Sequence, residues 1–165
     1  MVTGSHIWFR SLALFGLVPV LILMMPGAGR GQTITVNNNL SYGDVFPGIP
    51  KVISKTNAGS AAEFHIAGTA GSEVTIDFTL PTYMNQSGFN MQLIFLNTDC
   101  SMDSSATPDQ SNPSLDNQNP WHTITYNLGL NGLTLWLGGT VVPRLGQHNG
   151  AYTAQIVLTV AYTGQ

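Results

Sequence analysis

The residues that decide the fold are GAYTAQIVLTVAYTGQ, at positions 150–165. From Tyr152 onward, every second position carries Tyr152, Ala154, Ile156, Leu158, Val160 and Tyr162. Between them stand Thr153, Gln155, Val157, Thr159, Ala161 and Thr163, mostly polar or small. Successive side chains of an extended chain point to opposite faces, so a period of two marks a strand with one buried side. The spacing predicts a terminal strand that follows directly on Gly150.

The same period recurs upstream. Ile34 and Val36 alternate with Thr33, Thr35 and Asn37; Phe64 and Ile66 alternate with Glu63, His65 and Ala67. Val74, Ile76, Phe78 and Leu80 form another series, closed by Pro81, and further strands are predicted over 40–46, 91–95, 124–128 and 133–137. Residues 91–95 are apolar almost without interruption, as in a strand buried on both sides. Turn residues separate these runs at 68–71, 86–88, 131–132 and 149–150, and Asn131 with Gly132 is the natural two-residue hairpin turn. No helical period follows the first 31 residues. The reading is all-β: an antiparallel sandwich of about seven to nine strands.

Residues 1–31 read as an address. His6 and Arg10 precede an apolar run over 12–25, and Pro26, Gly27, Ala28 and Gly29 then supply small residues for cleavage after Ala28, Gly29 or, best, Gly31. The run is short of the roughly 20 residues that span a bilayer, so a signal peptide is preferred to a retained anchor. Export is therefore expected, to the periplasm of a Gram-negative cell and then to its surface or beyond, with no transmembrane segment after removal of the leader. Residues 32–165 are the size of one domain.

In that domain Lys51, Lys55 and Arg144 face eight acidic residues, so no basic patch exists and nucleic acid is a poor partner. Cys100 is the single cysteine, which excludes an internal disulfide. It reads as an incidental loop residue whose neighbours Asp99 and Asp103 disfavour a thiolate, with an intermolecular link as the alternative. The loop in question, 97–120, is rich in Ser, Asp, Asn, Gln and Pro and breaks the strand pattern. A polar stretch of that length reads as a solvated insertion. Its four aspartates lack the glycine and terminal glutamate of a calcium loop.

Catalytic chemistry has little to stand on. His65, His122 and His148 show no metal-ligand spacing, and neither a nucleophile elbow nor a phosphate loop is present. The reading is of no enzyme, no cofactor and no metal. Trp136 lies opposite the leucines of its strand and Trp121 ends the polar loop, so both are candidate ligand aromatics for stacking on a surface glycan.

Leu137-Gly138-Gly139-Thr140, then Gln147, Gly150, Tyr152 and the strand to Val160-Ala161-Tyr162, resemble a bacterial secreted domain family of unknown function. That family is similar in pattern to spore coat protein U and to fimbrial, pilin-like subunits. Upstream, Leu40-Ser41-Tyr42-Gly43 and the strand pair through residues 64–81 fit the same resemblance. It implies an immunoglobulin-like sandwich, export, and a structural role in which subunits join by strand pairing, with like subunits or a periplasmic chaperone as partners. The terminal assembly strand would be Gly150, Tyr152, Ile156, Leu158, Val160 and Tyr162, with twelve positions between its glycine and its last tyrosine, as in pilins. The strand-exchange arm would be Ile34 and Val36, which at full burial contribute only about 3–6 kcal/mol. That arm fits equally well as the first strand of a self-complete sandwich. The competing expectation is a monomeric binding module that uses the two tryptophans and the polar loop.

Overall fold

A computed structural model describes residues 31–164, and they form an all-β sandwich of twelve strands whose ladders are all antiparallel. The leader expected at 1–31 lies, except for Gly31, outside the described residues. Among the described residues no helix is long and apolar enough to cross a membrane.

One layer is a five-stranded sheet in the order β1 (Thr33–Asn38), β3 (Ala62–Ala67), β10 (Leu133–Leu137), β7 (Cys100–Asp103), β8 (Leu115–Gln118). Facing it are a four-stranded sheet, β2 (Lys51–Ile53), β11 (Gly139–Val142), β6 (Phe89–Ile94), β5 (Tyr83–Gln86), and a three-stranded sheet, β12 (Val157–Tyr162), β4 (Glu73–Thr79), β9 (Ile124–Asn127). The two smaller sheets are stitched together by a bridge between Asn85 and Thr153, with N–H···O bonds of 2.8 and 3.1 Å. All three sheets feed one core. It joins Phe64, Ile66, Leu133, Leu135 and Met102 to Leu93 and Val141, and to Val74, Ile76 and Val160. Phe64 meets Phe78 edge-on across the layers at 6.0 Å.

The alternating patterns sort as read: β3, β4 and β12 each turn one apolar face to this core. The terminal strand is shorter than its sequence pattern, because only Val157–Tyr162 pairs continuously with β4. Upstream of it Tyr152 and Ile156 still pack on the core while their backbone leaves the ladder, apart from Thr153. Three other expectations are corrected. Residues 40–46 form a connection rather than a strand, although Tyr42 within it is buried. β6 is buried on one face, with Met91 and Leu93 inside and Gln92 and Ile94 outside. The two-residue hairpin turn is at Ser87 and Gly88, whose φ angles of 49° and 89° are both positive, as the tight turn joining β5 to β6 requires. Asn131 and Gly132 instead end a turn from Gly129 that carries the chain between sheets.

The largest correction concerns 97–120. It is not a solvated insertion, because it holds β7 and β8, and every residue of β7 is buried. Cys100 and Met102 face the core, while Ser101 and Asp103 lie on the outer side of the sheet with Trp136 and Thr134. That outer side is buried too, because the segment after β7 folds back over it. Ser105, Ala106 and Pro108 line an open hollow of about 320 Å³ beside Thr35, Glu63, His65 and Thr134.

Three of the four aspartates make this possible by serving as turn-formers, and the fourth, Asp116 in β8, anchors the segment to Lys55. Asp99 accepts from the Leu96 N–H at 2.7 Å, Asp109 from the Ser111 N–H at 2.9 Å, and Asp116 pairs with Lys55 at 2.8 Å. Asp103 accepts from the backbone N–H groups of Ser105 and Asp109, both at 2.9 Å, and from the Ser114 hydroxyl at 3.2 Å. Lys55 completes the clamp, donating to the Thr98 carbonyl at 2.6 Å and to Asn117 Oδ1 at 2.7 Å.

Burial alone would raise the Asp103 pKa, but these hydrogen bonds outweigh it and hold the carboxyl below the usual carboxylate range. Its contribution to stability is therefore present in full above the unfolded value of about 3.9 and is lost as pH falls through the lower folded value. Asp103→Asn is expected to cost about 2 kcal/mol near neutral pH, and the gap from wild type should close in acid. Urea titrations of both proteins between neutrality and pH 3 check this; a gap that stays constant into acid contradicts it.

Candidate functional site: the open edge at β1

The first strand occupies the edge of the five-stranded sheet, pairing only with β3: Ile34 lies opposite Ile66, Thr35 opposite His65 and Val36 opposite Phe64. Residues directly opposite one another share a face, so Ile34 and Val36 point to the core side. Among the described residues they are only partly covered. Ile34 is 39% exposed and Val36 55%, whereas Ile66 and Phe64 beside them are buried.

The reason is an opening between the layers. At one end they are tied together: the Gln32 amide donates to the Val160 carbonyl, and the Thr69 N–H donates to the Tyr162 hydroxyl at 2.9 Å. At the other end a groove of about 400 Å³ runs between Val36, Leu40 and Phe64 on one side and Tyr152, Ala154 and Ile156 on the other. A second hollow of about 470 Å³ continues from it past Met84 and Met91 to Val45.

The far wall is held by the residues that carry the family pattern. Gln147 donates to the Tyr152 hydroxyl at 2.6 Å, and that hydroxyl donates to the His148 carbonyl at 2.8 Å. His148 stacks on Phe89 at 4.1 Å. Gly150, at φ 151°, lies against the Gln86 side chain. The structure thus places Val36 on one wall of the opening and Tyr152 and Ile156 on the other, while Ile34 lies further along β1, outside the lining. Leu158 packs against the core and Val160 lies within it, while Tyr162 sits at the closed end.

The candidate ligand aromatics are not brought together in this way. Trp136 is 2% exposed and is corrected from a ligand residue to a packing one, lying between Glu63 of β3 and Ser101 of β7 on the outer side of the sheet. Alternation gives its side of the strand correctly but not its access to solvent. Trp121 is 49% exposed, and its indole N–H is spent on the Phe95 carbonyl at 2.9 Å. Cys100, expected in a loop, is a core residue of β7 whose thiol pKa burial pushes up to about 12, against a small opposing pull from Lys55. The cause is burial rather than the neighbouring aspartates.

Among the described residues no three of His, Cys, Asp and Glu are grouped to hold a metal ion. His65 is engaged with the Thr134 hydroxyl at 3.1 Å. What the sequence does not reveal is the groove, because its walls come from residues more than a hundred positions apart.

No curated protein and no solved structure matches the chain. The domain of unknown function DUF4402 matches residues 23–162, which is most of the sequence. The chain belongs to the DUF4402 family.

Proposed function

We propose that this protein is an exported, non-enzymatic structural subunit of the bacterial surface, of the fimbrial kind, which assembles through β-strand pairing at β1. One observation carries the reading: among the described residues β1 is an edge strand without charge or proline, its two apolar side chains stand half open, and Val36 lines a groove between the layers. Natural edge strands are usually blunted by lysine, proline, a bulge or a covering segment, because unpaired N–H and C=O groups recruit other strands. Here the bulge falls only at the end of the strand, between Val36 and Asn38.

The resemblance to spore coat protein U and fimbrial subunits read from the sequence of 137–162, and the leader-like residues 1–31, motivate the same reading. Assembly would take place after export, with like subunits as partners and a periplasmic chaperone holding the edge beforehand. The alternative of a glycan-binding module is weakened by the burial of Trp136, which leaves Trp121 as its one exposed tryptophan of the two.

The test is assembly of the exported protein, followed by light scattering and electron microscopy. Lysine at both Ile34 and Val36 is expected to abolish higher-order assembly while export continues. An unchanged yield of assemblies, or a wild-type protein that stays monomeric at every concentration, refutes the proposal.

A further inference from the structure

We infer that the partner of β1 is β1 of a second copy, paired antiparallel about a two-fold axis at Thr35. This rests on the strand-pairing reading and names its partner and register. The strand reads Thr33-Ile34-Thr35-Val36-Asn37-Asn38, and among the described residues its side away from β3 is unpaired.

Register follows from faces. In an antiparallel pair, residues directly opposite share a face, so a one-residue slip would set apolar side chains against the polar side. Three symmetric registers keep the faces matched. Centring on Ile34 leaves Val36 opposite Gln32, whose amide is already engaged with Val160, and centring on Val36 leaves Ile34 opposite Asn38 beyond the bulge. Centring on Thr35 sets Ile34 against the second copy's Val36 and Val36 against its Ile34. Both half-exposed side chains are then covered from the side. On the outer face Thr35 meets Thr35, a favourable cross-strand pair.

Charge agrees. No ionised side chain lies on β1, and Glu63, its nearest carboxylate in the sheet, is occupied by Asn37 Nδ2 at 2.9 Å. An acidic protein can therefore meet its own copy here without setting like charges opposite. The product would be a continuous ten-stranded sheet made of two five-stranded halves. No β1 need leave its place beside β3, which separates this arrangement from exchange of the arm between subunits.

The experiment is sedimentation velocity over a concentration series, using the exported protein. Wild type should dimerise. Thr35→Lys and Thr35→Glu, each placing like charges across the axis, should weaken dimerisation severalfold when alone, while an equimolar mixture recovers it. A second variant, Thr33→Cys with Ala67→Cys, locks β1 to β3, since these residues lie opposite one another; the dimer should persist in it.

Assemblies that disappear in the locked variant overturn this inference and leave strand pairing standing as exchange. Wild-type protein that never associates overturns both. Charge variants that associate as wild type does overturn the register. If those variants fail to fold, Thr35→Cys treated with oxidised glutathione tests the same axis: a disulfide-linked dimer supports it and the absence of one refutes it. Cys100 is buried and does not interfere.

Discussion

Trp136→Ala is expected to lose about 3–5 kcal/mol of unfolding free energy, the usual cost of emptying a buried tryptophan site. The indole is buried on the outer side of the five-stranded sheet, where the neighbouring Ser101, Asp103 and Thr134 are buried as well. Its removal leaves a cavity between β3 and β7, since Trp136 lies opposite Glu63 on one side and Ser101 on the other. Trp121→Ala is the natural comparison. It removes a half-exposed ring, its bond to the Phe95 carbonyl and its edge contact with Phe95 at 6.5 Å, and should cost only about 1–2 kcal/mol. Urea denaturation of the two variants separates them. Equal losses, or a Trp136→Ala protein as stable as wild type, would mean that the indole is not packed as its burial indicates. The same pair bears on glycan binding: ligand loss in Trp136→Ala would report unfolding, so only Trp121→Ala is an informative variant for that question.

The strands most legible in the sequence are those with one wet and one dry face. β3, β4 and β12 show their period openly because water reaches the alternate residues. β7 is illegible for the opposite reason. Cys100 and Met102 alternate as they should, but Ser101 and Asp103 are polar residues buried on the other side, so the segment looks like a loop. The available signal is the pair Cys100 and Met102 standing inside an otherwise polar run. Aspartates that suggest solvent instead mark turns, and their partners are backbone N–H groups that no composition reveals.

The candidate site divides along the same line. Ile34 and Val36 declare their face by alternation, and the structure keeps them on it. Their exposure is a property of the opposite layer, where the backbone between Tyr152 and Ile156 leaves the ladder. A periodic sequence gives no sign of such a break, since Tyr152, Ile156 and Leu158 stay in phase through it. The apolar run around Tyr42 likewise suggests a strand, whereas its ring closes on Gly139 from an irregular connection.

That meeting leads to the second large effect. Gly138→Ala is expected to destabilise the protein by about 3 kcal/mol, the upper range for forcing an atom into a packed site. For a domain of this size that lowers the melting temperature by roughly 10 °C. Gly138 lies where β10 of one layer turns into β11 of the other, with its N–H bonded to the Asp99 carbonyl at 2.9 Å. A β-carbon there would stand 2.5 Å from the Ile53 carbonyl oxygen and 2.6 Å from the Lys55 nitrogen. Both are backbone atoms, so no rotamer change relieves the clash, and the connection after β2 must shift. Gly139→Ala meets the Phe95 ring and the Tyr42 hydroxyl, each at 2.9 Å, instead, and these side chains have some freedom to move, so its cost should be smaller. Lys55 gives the first variant a distinctive signature. Displacing its backbone loosens its hold on Thr98, Asn117 and Asp116, which brace both ends of the 97–120 segment. Hydrogen exchange should therefore quicken across 97–120 in Gly138→Ala while β4, in the other layer, stays protected under native conditions. Faster exchange spread evenly over the whole sandwich would show that the glycine contributes general stability and does not hold this crossing.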